Sequence, residues 1–421
     1  MTEPKRGLLV INSPLPPPYG GVATYLSFAL PYLAQNGFEV YGVLDKEPPN
    51  PTVYKSFENA GVHLHYGVQG KVNKIIQIVR HFSFWVTLYK RSKLPLGAFL
   101  NVMKSMVVWL GASEAILQKY SIDVIHAYDY PWVQGYVASY LAAKYGKKYV
   151  QTTFGEVVPH RHELVRHDTM GEKYKNFVCS VLDSCDVIIS VSKHCAREVT
   201  HVGVDASRVK ISYHGVDSDV FSAAADGTTI RRQYQLQDNP VVLFLGQMRP
   251  RKGPQVLLEA VPSVLKTVPN ATFIFVGPDY DITGTMKRRA EELGVARNVH
   301  FTGSIPDDEL REFYAACDVF AFPSLTPIEC LGLSMIQAMA CGKPVVASRI
   351  NGAPEVVVED ETGFLVEPNN PAQLAEKIST LLANPERRTS MGENGMRRAH
   401  AMFNQKNLAE ELRQIYLSII E

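Results

Sequence analysis

Cysteine is scarce in this chain, which has six cysteines among 421 residues and no Cys-x-x-Cys pair. Small secreted proteins that depend on disulfides are much richer in cysteine, and structural zinc sites usually need paired cysteines. We therefore expect reduced thiols in a cytoplasmic protein. The six residues are Cys179, Cys185, Cys195, Cys317, Cys330 and Cys341.

An excess of charge of one sign is also missing, since the formal net charge is +1. A dedicated nucleic-acid-binding domain is usually basic as a whole, so we expect no nucleic-acid partner. The N-terminal sequence MTEPKRGLLVINSP lacks the apolar region of a signal peptide, and no run of about 18 uncharged apolar residues predicts a transmembrane helix. No Gly-x-Gly-x-x-Gly follows a predicted strand, which makes a nicotinamide-binding oxidoreductase the weakest hypothesis.

The length and the order of apolar runs predict a two-domain α/β protein. A chain of 421 residues exceeds one ordinary core, and its 46% hydrophobic and 20% charged content is typical of a globular protein. Short apolar runs alternate with helical patterns, which favours two Rossmann-like, doubly wound parallel sheets. We place a first domain at residues 1–215, a second at 216–400, and a helix at 401–421.

Residues 323–348 predict a strand end, a loop, a helix at about 333–341 and a buried strand at 345–347. A helix N-terminus offers unpaired N–H groups to an anion, and Gly332 removes a Cβ that would block close approach. An acid in the loop and a polar side chain eight positions later would hold hydroxyl groups on either side of that anion. The pattern predicts a nucleotide-sugar site built from Glu329, Leu331, Gly332, Leu333 and Gln337.

Basic residues follow a second apolar strand, at residues 241–246. Fixed cations at a strand end suit an anionic ligand such as a diphosphate. Glycines at two other predicted strand ends give the backbone freedom to approach a ligand. These candidates are Gln247, Arg249, Arg251, Lys252 and Gly253 after the strand, with Gly20, Gly21 and Gly277 elsewhere.

With these residues the sequence resembles the retaining glycosyltransferases of family 4, which have the GT-B fold. That family carries two glutamates separated by seven residues and then an AMACGKPVVA-like run. Glu329 falls on the first glutamate, Gln337 stands at the second, and residues 338–347 match the run. The family's Gly-Arg-Leu and Lys-Gly elements correspond to a segment in which Lys252 and Gly253 match and Gln247 replaces the arginine; Arg249 or Arg251 would then take its role.

The resemblance implies two Rossmann-like domains that face each other across a cleft, with the donor on the second and the acceptor on the first. It implies that a hexosyl group passes from a nucleoside-diphosphate sugar to an acceptor hydroxyl with retention and without metal or cofactor. Glu329 would contact the donor sugar, Gln337 the ribose, and the loop at Gly277 would lie near the base. Gly20 and Gly21 would approach the donor phosphates and the acceptor.

Polar residues near two strand ends of the first domain are the acceptor-side candidates. His126 and Tyr128 end one predicted strand, Asp129 follows it, and Glu156 follows the next strand. We predict a catalytic role for His126 and acceptor contacts for the other three. Phe154 stands where the family commonly has a histidine. His160, His162 and His167 match no ligand spacing, so we predict no metal site.

Acidic residues are missing from the whole segment between Asn59 and Ser113, which contains seven lysines and arginines among many aromatic and aliphatic residues. A basic, apolar surface of this kind suits an anionic membrane leaflet, here through residues 71–110. Ordinary packing of the apolar side chains on the sheet, with solvated lysines, is the other interpretation. The acceptor itself is open between a glycan, a glycolipid and a small metabolite.

Two further hypotheses remain beside the transferase. A catalytically silent GT-B module would bind a nucleotide sugar or a partner without turnover, and Gln247, Phe154 and Gln337 together motivate it. A nucleotide-sugar epimerase or a phosphorylase would react without an acceptor alcohol.

Overall fold

The computed structural model describes residues 4–11, 21–45, 47, 54–92, 94–128, 133–154, 178–326 and 330–421. The chain divides into two compact units. The first comprises residues 1–213 and 406–421, and the second comprises residues 214–405. The chain therefore leaves the first unit and returns to it with its last residues.

The first unit contains a seven-stranded sheet with helices on its faces. Its strands are β1 (Arg6–Ile11), β2 (Phe38–Leu44), β3 (Val62–Tyr66), β4 (Val124–Tyr128), β5 (Lys148–Thr153), β6 (Val187–Ser190) and β7 (Val209–Ile211). Its helices are α1 (Gly21–Gln35), α2 (Lys55–Asn59), α3 (Lys71–Arg80), α4 (Phe82–Ser92), α5 (Leu96–Lys119), α6 (Val133–Tyr145) and α7 (Lys193–His201), and residues 178–183 are also helical.

The second unit contains a six-stranded sheet. Its strands are β8 (Val241–Leu245), β9 (Thr272–Val276), β10 (Val299–Gly303), β11 (Val319–Phe322), β12 (Val345–Ser348) and β13 (Gly363–Val366). Its helices are α8 (Thr228–Gln233), α9 (Pro254–Thr267), α10 (Thr283–Glu292), α11 (Leu310–Ala316), α12 (Leu333–Ala340), α13 (Ala353–Val356), α14 (Pro371–Ala383) and α15 (Pro385–Met402). The last helix of the chain is α16 (Gln405–Ile420).

Both sheets have the strand order expected of a doubly wound fold. The first runs β3-β2-β1-β4-β5-β6-β7 and the second β10-β9-β8-β11-β12-β13. Neighbouring strands pair in parallel, and the central strands bury both faces, which explains their continuous apolar sequences. The order reverses between β1 and β4 and between β8 and β11, and ligands of such sheets bind outside the carboxyl ends of the strands at the reversal.

Helix α16 closes the core of the first unit. Leu412 and Tyr416 are buried in the same cluster as Leu26 and Phe38, and the rings of Phe38 and Tyr416 lie 5.6 Å apart. Tyr32 on α1 donates a 3.0 Å hydrogen bond to Glu410. The end of the chain is therefore an integral part of the first unit's hydrophobic core.

Candidate functional site

The site is built on loops that leave the carboxyl ends of β8, β9, β11 and β12. Strands β8 and β11 are neighbours, and the sheet order reverses between them. The loop after β8 carries the basic residues, and the loop after β11 leads to the N-terminus of α12. The fold thus brings together two segments that lie about 80 residues apart in the chain, at the edge where a ligand of this sheet is expected.

Backbone contacts lock the loop after β8 against the loop after β11. The carbonyl of Arg251 accepts a 2.8 Å hydrogen bond from the amide of Leu325 and a 3.2 Å bond from the hydroxyl of Ser324. Gly253 has φ of 71°, and a Cβ there would lie 1.9 Å from the carbonyl oxygen of Pro323. Only glycine fits, because the position needs both a left-handed backbone and close approach. Lys252 is held directly between these two contacts.

The loops after β8 and β9 are joined in the same way. Met248 donates its backbone N–H to the carbonyl of Pro278 over 2.9 Å. A Cβ on Gly277, whose φ is 143°, would lie 1.9 Å from the carbonyl oxygen of Gly246. The close approach at Gly277 therefore serves the packing of one loop on the other. The nucleobase position near Gly277 stays a prediction.

The loop after β12 supports the start of α12. A Cβ on Gly352 would lie 2.0 Å from the carbonyl oxygen of Cys330, and Asn351 donates a 3.2 Å side-chain hydrogen bond to the carbonyl of Thr326. Among the described residues no side chain caps this helix N-terminus. The amides at residues 331–333 are thus placed at the edge where the sequence predicted an anion.

Gly332 has a different structural reason from the one predicted. Its φ is 81°, and a Cβ would lie 2.5 Å from the Cε of Met335 and 3.2 Å from the ring of Phe322. The missing side chain would therefore point at buried protein atoms. The glycine is needed for the left-handed turn into α12 and for packing, and we correct our expectation that it clears space for a ligand.

Three basic residues follow β8. The guanidinium of Arg249 stacks 3.8 Å above the ring centroid of Tyr280. Arg251 donates a 3.4 Å hydrogen bond to the side-chain oxygen of Gln247, the residue that replaces the family's arginine. Lys252 is partly exposed at the end of a short 3₁₀ helix, Pro250–Lys252. The structure places all three on one loop.

The side chain of Gln337 is buried and forms a hydrogen bond within the protein core. It is 8% exposed and accepts a 3.0 Å hydrogen bond from the phenol of Tyr314, which is fully buried. Its side-chain oxygen is therefore engaged by the protein core. The sequence did not reveal this contact, because Tyr314 lies on α11, the preceding helix.

Several predicted residues lie outside the described part of the chain. They are Glu329 in the loop before α12, Gly20, Asp129 and Glu156, together with His160, His162 and His167. Gly21 is the first residue of α1. The roles of these residues stay predictions.

His126 and Tyr128 occupy structural positions in the first unit, and this corrects their predicted roles. His126 is fully buried, with Nδ1 hydrogen-bonded to the phenol of Tyr416 and Nε2 bonded to Thr152 over 2.7 Å. Burial holds the pKa of His126 well below its usual range. The ring of Tyr128 is also fully buried and stacks on His126 at 3.9 Å. Neither side chain is accessible to an acceptor, and together they hold α16 on the sheet.

The acid-free segment forms an exposed apolar and basic surface on the first unit, which we call the α3–α5 surface. Helix α3 buries none of its residues. Six large apolar side chains of this segment are more than half exposed: Val72 is 70% exposed, Ile75 58%, Ile76 52%, Val79 69%, Phe82 67% and Leu96 58%. The same segment carries the basic residues Lys71, Lys74, Arg80, Lys90, Arg91 and Lys104. Ordinary packing on the sheet therefore does not account for these residues, whereas Trp85, Phe99, Met106 and Trp109 do lie in the core.

Helix α5, with 24 residues, is long and apolar enough to cross a membrane by length and composition alone. No other helix in the described ranges is. Its buried side chains, including Met106, Val107 and Leu110, belong to the hydrophobic core of the first unit. Core helices of soluble units meet the same criteria. The described residues contain no group of three or more metal-ligating side chains.

Comparison with solved structures defines the class of protein. HepE of Anabaena, solved with UDP and glucose, superposes with a TM-score of 0.75 over 98% of this chain and all of that chain, at 18% identity. The sucrose-phosphate synthase of Thermosynechococcus elongatus gives 0.75 over 99% of each chain at 23% identity. The two doubly wound sheets and these likenesses define a GT-B fold.

Sequence comparison then identifies the family. Residues 19–220 match the model described as Glycosyltransferase Family 4, and residues 226–398 match that of Glycosyl transferases group 1. A D-inositol 3-phosphate glycosyltransferase of Corynebacterium efficiens is 31% identical over 305 residues, 70% of each chain. A GDP-mannose-dependent phosphatidylinositol monomannoside mannosyltransferase of Mycolicibacterium smegmatis is 36% identical over 219 residues, which span 51% of this chain and 57% of that protein. The chain belongs to the group 1 glycosyltransferases of family 4.

Sequence reasoning missed Tyr280 and Ser324. Both follow strand ends on the site edge: Ser324 comes directly after Pro323, and Tyr280 comes two positions after Pro278. This position was the available signal. Their contacts with Arg249 and with the carbonyl of Arg251 became visible only in the structure.

Proposed function

We propose that this chain transfers a hexosyl group from a nucleoside-diphosphate sugar to an acceptor hydroxyl, with retention of the anomeric configuration. One observation carries the proposal. The loop with Arg249 and Lys252 is locked against the loop that leads to the N-terminus of α12, at the reversal of strand order, and no described side chain caps that N-terminus. Cations and backbone amides are thus held at one edge of a sheet, as a diphosphate requires.

The chemistry follows from the charge that develops on the leaving group. Breaking the bond between the anomeric carbon and the phosphate oxygen places additional negative charge on the diphosphate. Lys252, an arginine of the same loop and the amides near Gly332 stabilise that charge without reorganising, because backbone contacts already fix the loop. These groups supply the neutralisation for which other enzymes use a metal.

Retention is assigned to a same-face reaction. The acceptor oxygen attacks the anomeric carbon as the bond from that carbon to the phosphate oxygen breaks. The departing phosphate oxygen takes the proton of the acceptor hydroxyl. Glu329 contacts the donor sugar in this proposal and forms no covalent bond with it. With its oxygen engaged by Tyr314, Gln337 offers its amide nitrogen to the ribose, as a hydrogen-bond donor.

The relatives indicate which substrates to test first. One is named for GDP-mannose, and both names contain an inositol phosphate group. We propose mannosyl transfer from GDP-mannose to a hydroxyl of an inositol phosphate or an inositol lipid as the first reaction to assay. Glycans and small metabolites are the other acceptor classes.

The test begins with thermal unfolding of the intact protein in the presence of GDP-, UDP-, ADP- and dTDP-sugars and the free diphosphates, without added metal. A ligand at 100 times its dissociation constant raises the free energy of unfolding by about 2.7 kcal/mol. We expect a shift with one nucleotide, and then formation of a glycoside with the same anomeric configuration as the donor. No shift with any nucleotide contradicts the proposal. A shift without turnover on any acceptor class would favour the silent module.

We also propose that the α3–α5 surface contacts an anionic membrane. The apolar residues of α3 would enter the headgroup region, and the basic residues beside them would meet anionic lipid, each contributing about 1 kcal/mol near the surface. The segment between Asn59 and Ser113 contains basic residues and no acidic residue, so its charge is complementary to an anionic lipid surface. An acceptor embedded in lipid would then be presented to the first unit.

Co-sedimentation with vesicles of anionic and of neutral lipid, at low and high salt, tests this contact. We expect binding to anionic vesicles that falls with salt and is lost in the double variant Ile75→Ser with Ile76→Ser. Val220→Ser, at a residue 41% exposed in the second unit, is the matched control. Equal binding of both variants, or none by the unsubstituted protein, contradicts the contact.

A further inference from the structure

Arg249 and Tyr280 form a cation–π contact within the second unit. The centre of the guanidinium lies over the ring of Tyr280, 3.8 Å from its centroid. The Nε of Arg249 is buried and has no hydrogen-bond partner among the described residues. Tyr280 itself is 40% exposed. The aromatic ring is therefore the contact that defines where this guanidinium lies.

The backbone that carries Tyr280 is fixed on both sides. The carboxylate of Asp279 accepts hydrogen bonds from the amides of Ile282 and Thr283, over 3.2 and 3.1 Å, at the start of α10. A bridge between Met248 and Asp279 extends the pairing of the two loops beyond β8 and β9. The ring and the arginine are thus attached to two segments that are hydrogen-bonded to each other.

A cation–π contact engages the π face of a guanidinium and leaves its N–H donors available for an oxygen ligand. Arginine recognises phosphate through a planar fork of N–H groups, and an aromatic ring contacts only the face of that fork. A stacked arginine also loses less conformational freedom when it binds, because its orientation is already set.

We propose that Tyr280 is a positioning residue, which orients Arg249 so that its N–H fork binds the diphosphate of the donor. The inference rests on the proposed function, since it needs a diphosphate at this edge of the sheet. Gln247 stands where the family has an arginine, and the proposal gives the role of that arginine to Arg249 rather than to Arg251. Arg251 is instead hydrogen-bonded to Gln247.

Calorimetric titration with GDP and with UDP, on the full chain, tests the coupling through a double-mutant cycle. We expect Arg249→Ala to weaken diphosphate binding about tenfold. Tyr280→Ala should weaken it about threefold, through loss of the stack. If Tyr280 acts through Arg249, adding Tyr280→Ala to Arg249→Ala changes nothing further, and Tyr280→Phe, which keeps the ring, binds as the unsubstituted protein does.

Additive effects of the two alanine substitutions overturn the proposal, because Tyr280 would then contact the nucleotide by itself. Unchanged affinity in Arg249→Ala or in Tyr280→Ala overturns it as well. Tyr234→Ala is the control: it removes another partly buried tyrosine of this unit, one that packs on Phe313 at 6.0 Å, and affects stability without affecting affinity. If the unsubstituted protein binds none of GDP, UDP, ADP and dTDP, the proposed function fails first and the role of Tyr280 with it.

Discussion

The phenol of Tyr314 donates a 3.0 Å hydrogen bond to the side-chain oxygen of Gln337, and the two residues are 0% and 8% exposed. A buried hydroxyl that loses its acceptor costs about 1–3 kcal/mol. The residue at the predicted ribose position is therefore also part of the core that positions α12 on α11.

We expect Gln337→Ala to lower the free energy of unfolding by about 1–3 kcal/mol, because it strands the phenol of Tyr314. Adding Tyr314→Phe should recover part of that loss, since the unpaired hydroxyl is then gone. Urea unfolding of the two single variants and the double variant measures the coupling. A double variant less stable than Gln337→Ala would show that the hydrogen bond is not the cause.

Lys252→Ala should reduce transfer by about 10² to 10³, the usual cost of one group that stabilises transition-state charge. The fold should remain intact, because the contacts that hold this loop are made by the backbone of Arg251 and Gly253. Initial rates and a melting curve separate the two effects. Lys266→Ala, on an exposed position of α9, is the matched control. A folded Lys252→Ala protein with near-normal turnover would exclude the phosphate role.

The sequence was sufficient for the fold, because the fold depends on local patterns, whereas the location of the site stays a prediction. The helix predicted at 333–341 is α12, Leu333–Ala340, and the strand predicted at 345–347 is β12, Val345–Ser348. Side-chain roles were harder to predict where a distant residue decides them. His126 looked like a polar residue at a strand end, but its partner Tyr416 lies 290 positions later. The direction in which a Cβ of Gly332 would point also depends on packing that no local pattern shows.

Glu114 is a buried carboxylate at the centre of a charged cluster on α5. It is 1% exposed and accepts hydrogen bonds of 2.6 Å from Lys144 and 2.9 Å from Tyr145. His81, the single residue between α3 and α4, lies 3.2 Å from its other oxygen. Burial acts to raise the pKa of Glu114, but these hydrogen bonds and the nearby charges hold that pKa below its ordinary value.

Glu114→Gln should lower the free energy of unfolding by about 2 kcal/mol, because the buried groups around it lose their anionic partner. It should also increase hydrogen exchange at the α3–α4 junction. Glu259→Gln is the control, since that acid pairs with Arg289 at the surface, where both side chains are 39–45% exposed and such pairs contribute about 0–1 kcal/mol. Equal effects of the two substitutions would contradict a special role for the buried cluster.

Buried neutral histidines predict that acid destabilises the protein. Burial lowers the pKa of His214 to about 3 from an ordinary value of 6.5, and it lowers the pKa of His126 and of His81 as well. Below pH 6.5 the unfolded chain therefore binds more protons than the folded chain. Each such histidine lowers the free energy of unfolding by about 1.4 kcal/mol per pH unit, until pH falls through its folded pKa.

Urea unfolding between pH 8 and pH 4 measures this dependence. We expect stability to be nearly constant above about pH 7 and to fall progressively below pH 6.5, since the histidines are neutral in both states at higher pH. His214→Gln should reduce the slope below pH 6.5. An unchanged slope in that variant, or stability that rises on acidification, would contradict the assignment.

Gly253 and Gly294 both have a left-handed backbone, but only Gly253 also lies close to another segment of the chain. Their φ values are 71° and 70°, but a Cβ on Gly253 would lie 1.9 Å from the carbonyl oxygen of Pro323, whereas a Cβ on Gly294 meets nothing within 4 Å. Gly294→Ala should cost about 1–2 kcal/mol for the left-handed backbone alone. Gly253→Ala should cost more and should also weaken nucleoside-diphosphate binding, because the loop that carries Lys252 must move away from the loop after β11. Melting curves and calorimetric titration of both variants make the comparison, and equal effects on stability and binding would show that the close approach at Gly253 does not position the site.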